Sequence, residues 1–558
     1  MTGQKTLVES LRRRAEDSFA SRGYTFPGIG PSGADVKLTY AELHRRARSI
    51  SGRLLRAGAQ DSRALLIFET TPECLAAFFG CLGAGVTVVP VPSPSPMKPL
   101  QGLAYLERVA QSAGTRFLIG PSFTMSRLDL LLSTTPALAR LERIDIGAPY
   151  ASDSFQQRAI REDAIALIQY TSGSTSEPRG VTLDHRNLFE NARFIRQAFD
   201  LGESECGVSW LPPHHDMGLM GGILEPLFLG CEAVLLPPSD FVRRPSSFLE
   251  AITRFRGTCC GGPSFAYDLM TRRVLESARA NLDLSSWRVA FCGSEPVRVS
   301  ALEGFARTFA SSGFRRASFL SCYGLAEATL LVSATRPNTF PVSRAIEARE
   351  VVSCGRTPEG VRAVIVDPKT RIPSAQGVVG EIWVQGANVA SGYWADEPAT
   401  NEVFGASLVE GLVEGEEGYL RTGDLGFISE GELHVTGRLK DLIIIRGRNL
   451  LPHDIEQTVE TSHEAVRAGR VAAFSIERDS SDRLVLLCEI SERHRNRATS
   501  VESAIRAAVA ANHDVVPERV ILLGASELPR TTSGKPRRSL CKQRFLEGAW
   551  PELAAVSS

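Results

Sequence analysis

Apolar residues recur at alternating spacings of three and four through Tyr40, Leu43, Ala47, Ile50 and Leu54, which predicts an amphipathic helix with one buried stripe. Residues 64–68 are continuously apolar and bounded by polar positions, the pattern of a short buried strand. The alternation repeats. A helix runs into a strand over 75–92, a proline-rich loop covers 90–99, a helix is predicted over 103–113 and a strand over 117–119. Further apolar strands are predicted over 164–170, 233–236, 289–292 and 318–320, separated by helical segments. Mostly parallel sheets covered on both faces are the economical way to bury such a series.

After about residue 350 the pattern changes to short β-rich pieces over 363–366, 381–384 and 433–436, punctuated by glycines, which predicts a smaller barrel-like subdomain. From about Lys440 a third pattern begins, with strands over 442–445, 471–474 and 485–490 and helices over 454–461 and 501–510. The fold class expected is α/β. A large amino-terminal domain over 1–437 would hold two mostly parallel sheets plus the β-rich part at about 351–437. A small α+β domain would follow over 438–558.

Composition narrows the function classes. The 558 residues suggest roughly three to five folded units or one multi-layer enzyme. Hydrophobic residues at 43% and charged ones at 23% exclude disordered and fibrous chains. Basic and acidic residues total 63 each, so no global field draws the chain toward nucleic acid or anionic lipid, and any partner is recognised locally. Only seven of those basic residues are lysines: Lys5, Lys37, Lys98, Lys369, Lys440, Lys535 and Lys542. The eleven cysteines form no C-x-x-C pair, which fits reduced thiols in a cytoplasmic protein. Charge at Glu9, Arg12, Arg13 and Arg14 argues against a secretion signal. The apolar run over 75–92 contains Gly80, Gly83, Gly85 and Pro90, so it reads as a buried helix and strand rather than a membrane span.

The segment Tyr170-Thr171-Ser172-Gly173-Ser174-Thr175-Ser176-Glu177-Pro178-Arg179-Gly180 follows a predicted strand and brings hydroxyls, glycines and one cation together. Such a loop can surround phosphate oxygens with donors. No Gly-Lys-Ser/Thr closes it, so it is not a Walker loop. It resembles the YTSGSTGxPKG signature of the adenylate-forming superfamily, with Ser176 in place of the usual glycine and Arg179 in place of the usual lysine. Further blocks are similar to those of the fatty acyl-AMP ligases: Trp210-Leu211-Pro212-Pro213-His214-His215-Asp216-Met217-Gly218, Pro263-Ser264-Phe265-Ala266-Tyr267, Tyr323-Gly324-Leu325-Ala326-Glu327, Arg421-Thr422-Gly423-Asp424 and Gly437-Arg438-Leu439-Lys440-Asp441.

The resemblance implies that a fatty acid carboxylate attacks the α-phosphate of ATP, giving acyl-adenylate and pyrophosphate, after which the acyl group passes to a thiol. Thr171, Ser172, Gly173, Ser174, Thr175 and Arg179 would hold phosphates, and Glu327 with Thr171 would bind Mg2+. Tyr323, Gly324 and the run Ser294, Glu295 and Pro296 would surround the nucleotide, with Asp424 and Arg438 on the ribose. His215 would stand beside the incoming carboxylate, and Met217, Gly218, Gly221 and Phe265 would line the acyl entrance, although a core role for Phe265, Ala266 and Tyr267 fits the sequence equally well. Lys535, in Pro529-Arg530-Thr531-Thr532-Ser533-Gly534-Lys535, matches the lysine that a mobile carboxy-terminal domain brings to the reaction, and Lys440 matches its hinge. A metal reading of His214-His215-Asp216 is weaker, because adjacent side chains diverge where zinc ligands must converge.

Fatty acyl-AMP ligases carry an extra segment after the glutamate motif that disfavours coenzyme A. Here only residues 330–353 separate Thr329 from Cys354, so that segment is trimmed or absent. The acceptor expected is the phosphopantetheine thiol of a carrier protein, with coenzyme A as the alternative. A protein that only binds nucleotide or acyl chains is a remote reading, since Glu327, Asp424, Arg438 and Lys535 are all present. An enzyme that makes an adenylate and then consumes oxygen stays open on sequence alone.

Overall fold

The computed structural model describes residues 6–550 apart from 97–98, 130–134, 148–158, 172–177, 347–348, 410–416, 446–447, 479–480 and 532–534. The chain divides into two compact units. The larger comprises Met1–Thr171, Arg179–Thr422 and Phe427–Val435, and the smaller includes Gly423–Gly426 and everything from Thr436 onward.

Two sheets organise the larger unit. An eight-stranded sheet runs, in spatial order, Leu331–Ala334, Phe319–Gly324, Val289–Cys292, Cys259–Gly262, Cys206–Ser209, Glu232–Leu235, Gly23–Phe26 and Val36–Thr39. Its interior pairings are parallel and its two edge pairings antiparallel. A six-stranded sheet runs Glu142–Asp145, Phe117–Gly120, Arg63–Ile67, Thr87–Val91, Ile165–Thr171 and Arg179–Asp184, parallel except for the last pair. The helix predicted from Tyr40 spans Tyr40–Arg56, capped by Thr39, whose hydroxyl accepts from the Glu42 amide. It packs on the buried helix Pro72–Gly83, and Ala47, Ile50 and Leu54 join Phe78 and Leu82 in one core. The apolar stretch over 75–92 is thus that helix followed by the strand Thr87–Val91. Among the described residues no helix is long and apolar enough to cross a membrane.

The β-rich part is not a closed barrel. Strands Val361–Val366, Gly380–Gly386, Leu420–Ser429 and Glu432–Arg438 lie in chain order in one open sheet, beside a separate hairpin of Ser343–Ile346 and Arg349–Val352. Four strands are too few to close around a filled interior. One face is buried instead against Phe194, Tyr323 and Val332 through Val361, Ile382, Val384 and Leu420.

The smaller unit has a three-stranded sheet of Val466–Arg478, Ser481–Ile490 and Arg519–Leu523, antiparallel and then parallel. Helices Pro452–Ser462 and Ala498–His513 bury Ile455, Val459, Val501 and Ile505 on one face. Helix Arg538–Leu546 places Cys541 in a second cluster with Phe474 and Leu487.

Candidate active site

The glycine- and hydroxyl-rich segment joins two antiparallel strands, Ile165–Thr171 and Arg179–Asp184, with Thr171 opposite Arg179 in register. A hairpin mouth sets a donor-rich loop between fixed ends. Tyr170 pairs with Gly180, and a Cβ at Gly180 would fall 2.5 Å from Ile168 Cγ2 and 2.9 Å from the Tyr170 ring, so only glycine fits there. Ser172, Gly173, Ser174, Thr175 and Ser176 lie outside the described residues.

Segment 391–396 docks along the strand that carries Arg179. The Thr182 amide donates to Gly392 O at 2.9 Å, and the Trp394 amide to Gly180 O at 2.7 Å. This brings Tyr393 between two motifs that are distant in sequence. Its hydroxyl donates to Glu327 Oε1 at 2.8 Å, and the Arg179 guanidinium lies 5.4 Å from its ring centroid, within cation–π range. Arg179 Nε also sits 3.6 Å from Asp396 Oδ2. Burial and the Glu327 carboxylate both hold the Tyr393 phenol above its ordinary range, so it stays a donor. The Glu327 carboxylate has acceptor capacity beyond this one bond. An oxygen donor of that kind, linked through Tyr393 to the strand that begins at Arg179, is of the type that suits a hard cation.

The His214–His215 segment is fastened to the same hairpin. Gln169, a buried polar residue within an apolar strand, donates from Nε2 to His214 O at 2.5 Å. Burial pushes the His214 imidazole well below its ordinary pKa, so it is neutral at pH 7. His215 caps helix Asp216–Leu219, and its carbonyl accepts from the Leu219 amide at 2.8 Å. Met217, Gly218 and Gly221 follow on this helix, which continues through a π-type turn at Met220–Leu224 into Glu225–Leu229. A Cβ on Gly218 would lie 2.1 Å from Pro212 O, so the close approach of this helix to the preceding turn requires glycine.

Phe265 is half-buried, edge-on to Trp210 at 6.1 Å, and Trp210 stacks on Phe241. Ala266 and Tyr267 are core residues, and the Tyr267 hydroxyl donates to Phe291 O at 2.8 Å. Glu295 accepts from the Phe265 amide at 2.8 Å and so holds the start of helix Ser264–Arg273. Ser294 has φ +70°, and Pro296 O lies 3.4 Å from Ser264 Oγ. Tyr323 is buried at the end of strand Phe319–Gly324, where the register shifts at Tyr323 and Gly324.

In the smaller unit Arg438 Nε donates to Asp424 Oδ1 at 2.9 Å, with the carboxylate buried and the guanidinium half-exposed. Lys440 lies in the single helical turn Leu439–Asp441. Residues 532–534 lie outside the described residues; on either side of them Thr531 N donates to Lys535 O at 2.8 Å and Lys535 N to Thr531 Oγ1 at 3.0 Å.

Tyr393, Asp396 and Gln169 were not expected from sequence. A lone glutamine inside an apolar strand was a usable signal for Gln169, since a buried amide needs partners. The aromatic pair Tyr393-Trp394 after Gly392 carried no comparable signal.

Family models and known relatives cover most of the chain. The family model described as AMP-binding enzyme matches residues 12–394, and that of the Disco-interacting protein 2-like AMP domain matches residues 440–554. The chain is 38% identical to the medium-chain-fatty-acid–[acyl-carrier-protein] ligase JamA of Moorena producens, covering 99% of this chain and 98% of that one. A solved structure from a study of the fatty acyl-adenylate ligases of E. coli and L. pneumophila superposes with TM-score 0.86 at 32% identity, covering 98% of each chain. The L. pneumophila ligase in complex with acyl adenylate and pyrophosphate superposes with TM-score 0.73 at 35% identity, covering 97% of this chain and 96% of that one.

Proposed function

We propose that this chain, which belongs to the AMP-binding enzyme family of adenylate-forming ligases, activates a fatty acid with ATP and passes the acyl group to the phosphopantetheine thiol of a carrier protein. The observation that carries this reading is Tyr393 joining Glu327 to Arg179 at the mouth of the phosphate-loop hairpin. A carboxylate suited to a hard cation and an arginine at the start of the strand Arg179–Asp184, joined through one phenol, are the kinds of group a polyphosphate requires, which supports the reading.

Two anionic reactants meet in the first half-reaction, so positioning and charge neutralisation carry most of the catalysis. The fatty acid carboxylate oxygen forms a bond to the α-phosphorus, the bond to the bridging oxygen of pyrophosphate breaks, and pyrophosphate leaves with the electron pair. Arg179, Thr171 and the loop over 172–175 hold the phosphates. His215 orients the attacking carboxylate, and Asp424 with Arg438 holds the ribose. A Mg2+ ion held by Glu327, with Thr171 nearby, would supply further neutralisation of phosphate charge. Lys535 stabilises charge developing between attacking and leaving groups. Met217, Gly218, Gly221 and Phe265 form the acyl entrance, and Lys440 is the pivot of the smaller unit. In the second half-reaction the thiol attacks the acyl carbonyl and AMP leaves.

The relative JamA is named for an acyl-carrier-protein acceptor, which supports the carrier reading. The short interval after Thr329, occupied by the hairpin Ser343–Ile346 and Arg349–Val352, favours coenzyme A as a second reading. One experiment separates them. The enzyme is given ATP, Mg2+ and a fatty acid panel, and then either holo carrier protein or coenzyme A. Acyl-AMP that is discharged by carrier protein alone supports the first reading, rapid acyl-CoA formation supports the second, and no acyl-AMP with any acid overturns both.

A further inference from the structure

We propose that Asn191 and Asn388, two fully buried amides, are positioning residues that clasp the backbone around Thr329 and thereby aim the Glu327 carboxylate. The inference rests on the reading of Glu327 as the metal-binding carboxylate and adds the residues that fix its direction.

Glu327 belongs to a single helical turn, Ala326–Ala328, that ends in an unusual bend. Thr329 has φ +66° and ψ −55°, in the positive-φ half of backbone space that a β-branched residue avoids. The Leu330 amide donates to Ala328 O at 2.7 Å and closes a γ-turn on Thr329. A turn of this hand is strained and persists only where its surroundings over-determine it. Both ends of loop 325–330 are held by the paired strands Phe319–Gly324 and Leu331–Ala334, so any relaxation at Thr329 is absorbed within the loop, where Glu327 lies.

Two asparagine side chains supply the constraint. Asn388 Nδ2 donates to Ala328 O at 3.1 Å and to Leu331 O at 3.0 Å, carbonyls on either side of the bend. Asn191 grips Leu331 through both its amide functions: Oδ1 accepts from Leu331 N at 3.1 Å, and Nδ2 donates to Leu331 O at 3.0 Å, with a longer contact to Ala328 O at 3.4 Å. The Thr329 hydroxyl completes the clasp by donating to Asn388 O at 2.6 Å. Asn191 is carried by helix His185–Phe199, and Asn187, one turn earlier on the same face, donates to Ala387 O at 3.0 Å and Val389 O at 2.9 Å. One helix therefore holds both the bend after Glu327 and the segment that bears Asn388. Beyond Asn388 the chain returns to Glu327 twice, through the Ala390 amide donating to Glu327 O at 2.9 Å and the Tyr393 hydroxyl. Asn388 Oδ1 has no partner among the described residues, so only the donors of this amide are used. Burying an unsatisfied acceptor costs stability, which a position serving packing alone would avoid with an apolar side chain.

The test removes those donors and reads the metal directly. Asn388→Leu keeps the size of the side chain and leaves Asn191 in place. Mn2+ is the probe for Mg2+, added with α,β-methylene-ATP, which binds metal but cannot form an adenylate, and bound Mn2+ is counted by electron paramagnetic resonance. Its affinity is expected to fall about tenfold, the scale for a group that orients a metal ligand. The kcat for acyl-AMP formation should fall to a similar degree while the KM for fatty acid stays within about twofold. Thr329→Gly added to Asn388→Leu should recover part of the Mn2+ affinity, because glycine takes positive φ without strain. Thr329→Val loses only the hydroxyl bond to Asn388 O; it should weaken Mn2+ by about threefold, and it carries the test if Asn388→Leu does not fold. Unchanged Mn2+ affinity in whichever of the two single variants carries the test overturns the proposal. So does a loss that Thr329→Gly leaves unrecovered, or a fatty acid KM that rises as much as Mn2+ affinity falls, since either makes the asparagines general packing. Glu327→Gln is run in parallel. If it weakens Mn2+ while Asn388→Leu does not, the clasp alone fails; if it leaves Mn2+ unchanged, the reading of Glu327 fails and the clasp with it.

Discussion

The Tyr393 hydroxyl donates to Glu327 Oε1 at 2.8 Å, and the same ring lies under the Arg179 guanidinium. A single phenol thus orients the carboxylate that the proposed chemistry gives to the metal and supports the cation that it gives to the phosphates. Tyr393→Phe keeps the ring and removes only the donor. Losing one hydrogen bond to a charged group is worth about 1.5 kcal/mol, so kcat/KM for acyl-AMP formation should fall about tenfold with little change in Tm. Pyrophosphate release titrated against Mg2+ is the measurement, and an unchanged Mg2+ dependence would count against the role given to Glu327.

Arg179 stands where the family signature has lysine, stacked on Tyr393 and 3.6 Å from Asp396. Arg179→Ala should raise the KM for ATP by about tenfold, again the scale of one charge-assisted bond. Arg179→Lys should recover much of this, since it restores charge but not the stacked plane. Equal KM values for the three proteins would remove Arg179 from the phosphate site.

Lys535→Ala should slow acyl-AMP formation by roughly 10²–10³-fold, the cost of one preorganised charge stabiliser. Lys535→Arg should be nearly as slow, because a planar fork cannot take the place of a compact ammonium on a flexible stem. Transfer from preformed acyl-AMP to the thiol should be much less affected in both. Near-normal pyrophosphate release by Lys535→Ala would defeat the assignment.

Gly218→Ala should displace the turn that carries His215, because the new Cβ would lie 2.1 Å from Pro212 O and backbone cannot yield cheaply. Overpacking of this kind costs about 1–3 kcal/mol of stability. The KM for fatty acid should rise more than that for ATP. The opposite ranking would mean that this helix does not border the acyl site.

His185 starts helix His185–Phe199, is 2% exposed, and accepts from the Leu7 amide at 3.3 Å. Burial pushes its pKa from 6.5 down to about 4. The native state holds the ring neutral while the unfolded chain protonates near 6.5, so stability is full above that pH and is lost as pH falls toward 4. Between pH 7.5 and 5 the loss from this residue should be about 2 kcal/mol. Urea melts of wild type and His185→Asn across that range check it; parallel pH profiles would show that His185 contributes nothing.

Much of the fold was legible because its signals are local. The stripe from Tyr40 to Leu54 gave the helix Tyr40–Arg56, and the apolar runs at 289–292 and 485–490 fall on strands. The strand Arg179–Asp184 was missed, since Arg-Gly-Val-Thr-Leu-Asp is too short and mixed to show a period, and its pairing depends on Ile165–Thr171. Glycine spacing after residue 350 resembled that of a barrel, yet closure is decided by strand number and by what covers each face, and here Phe194, Tyr323 and Val332 cover one face of an open sheet.

Sequence by itself determined which chemical groups this protein has and which of them are neighbours along the chain: the hydroxyl-rich loop, Glu327 in its block, Asp424 and Arg438, and Lys535 in its turn. These follow from contiguous motifs, whose meaning is set within a few residues. Which groups meet was decided only by tertiary structure. Tyr393 lies 66 residues from Glu327 and reaches it because segment 391–396 pairs with the Arg179 strand, and Arg538 lies 97 residues from Asp441 and reaches it because the fold of the smaller unit brings the start of helix Arg538–Leu546 to the turn Leu439–Asp441. Such contacts are fixed by the packing of a whole core, and no local period along the chain encodes them.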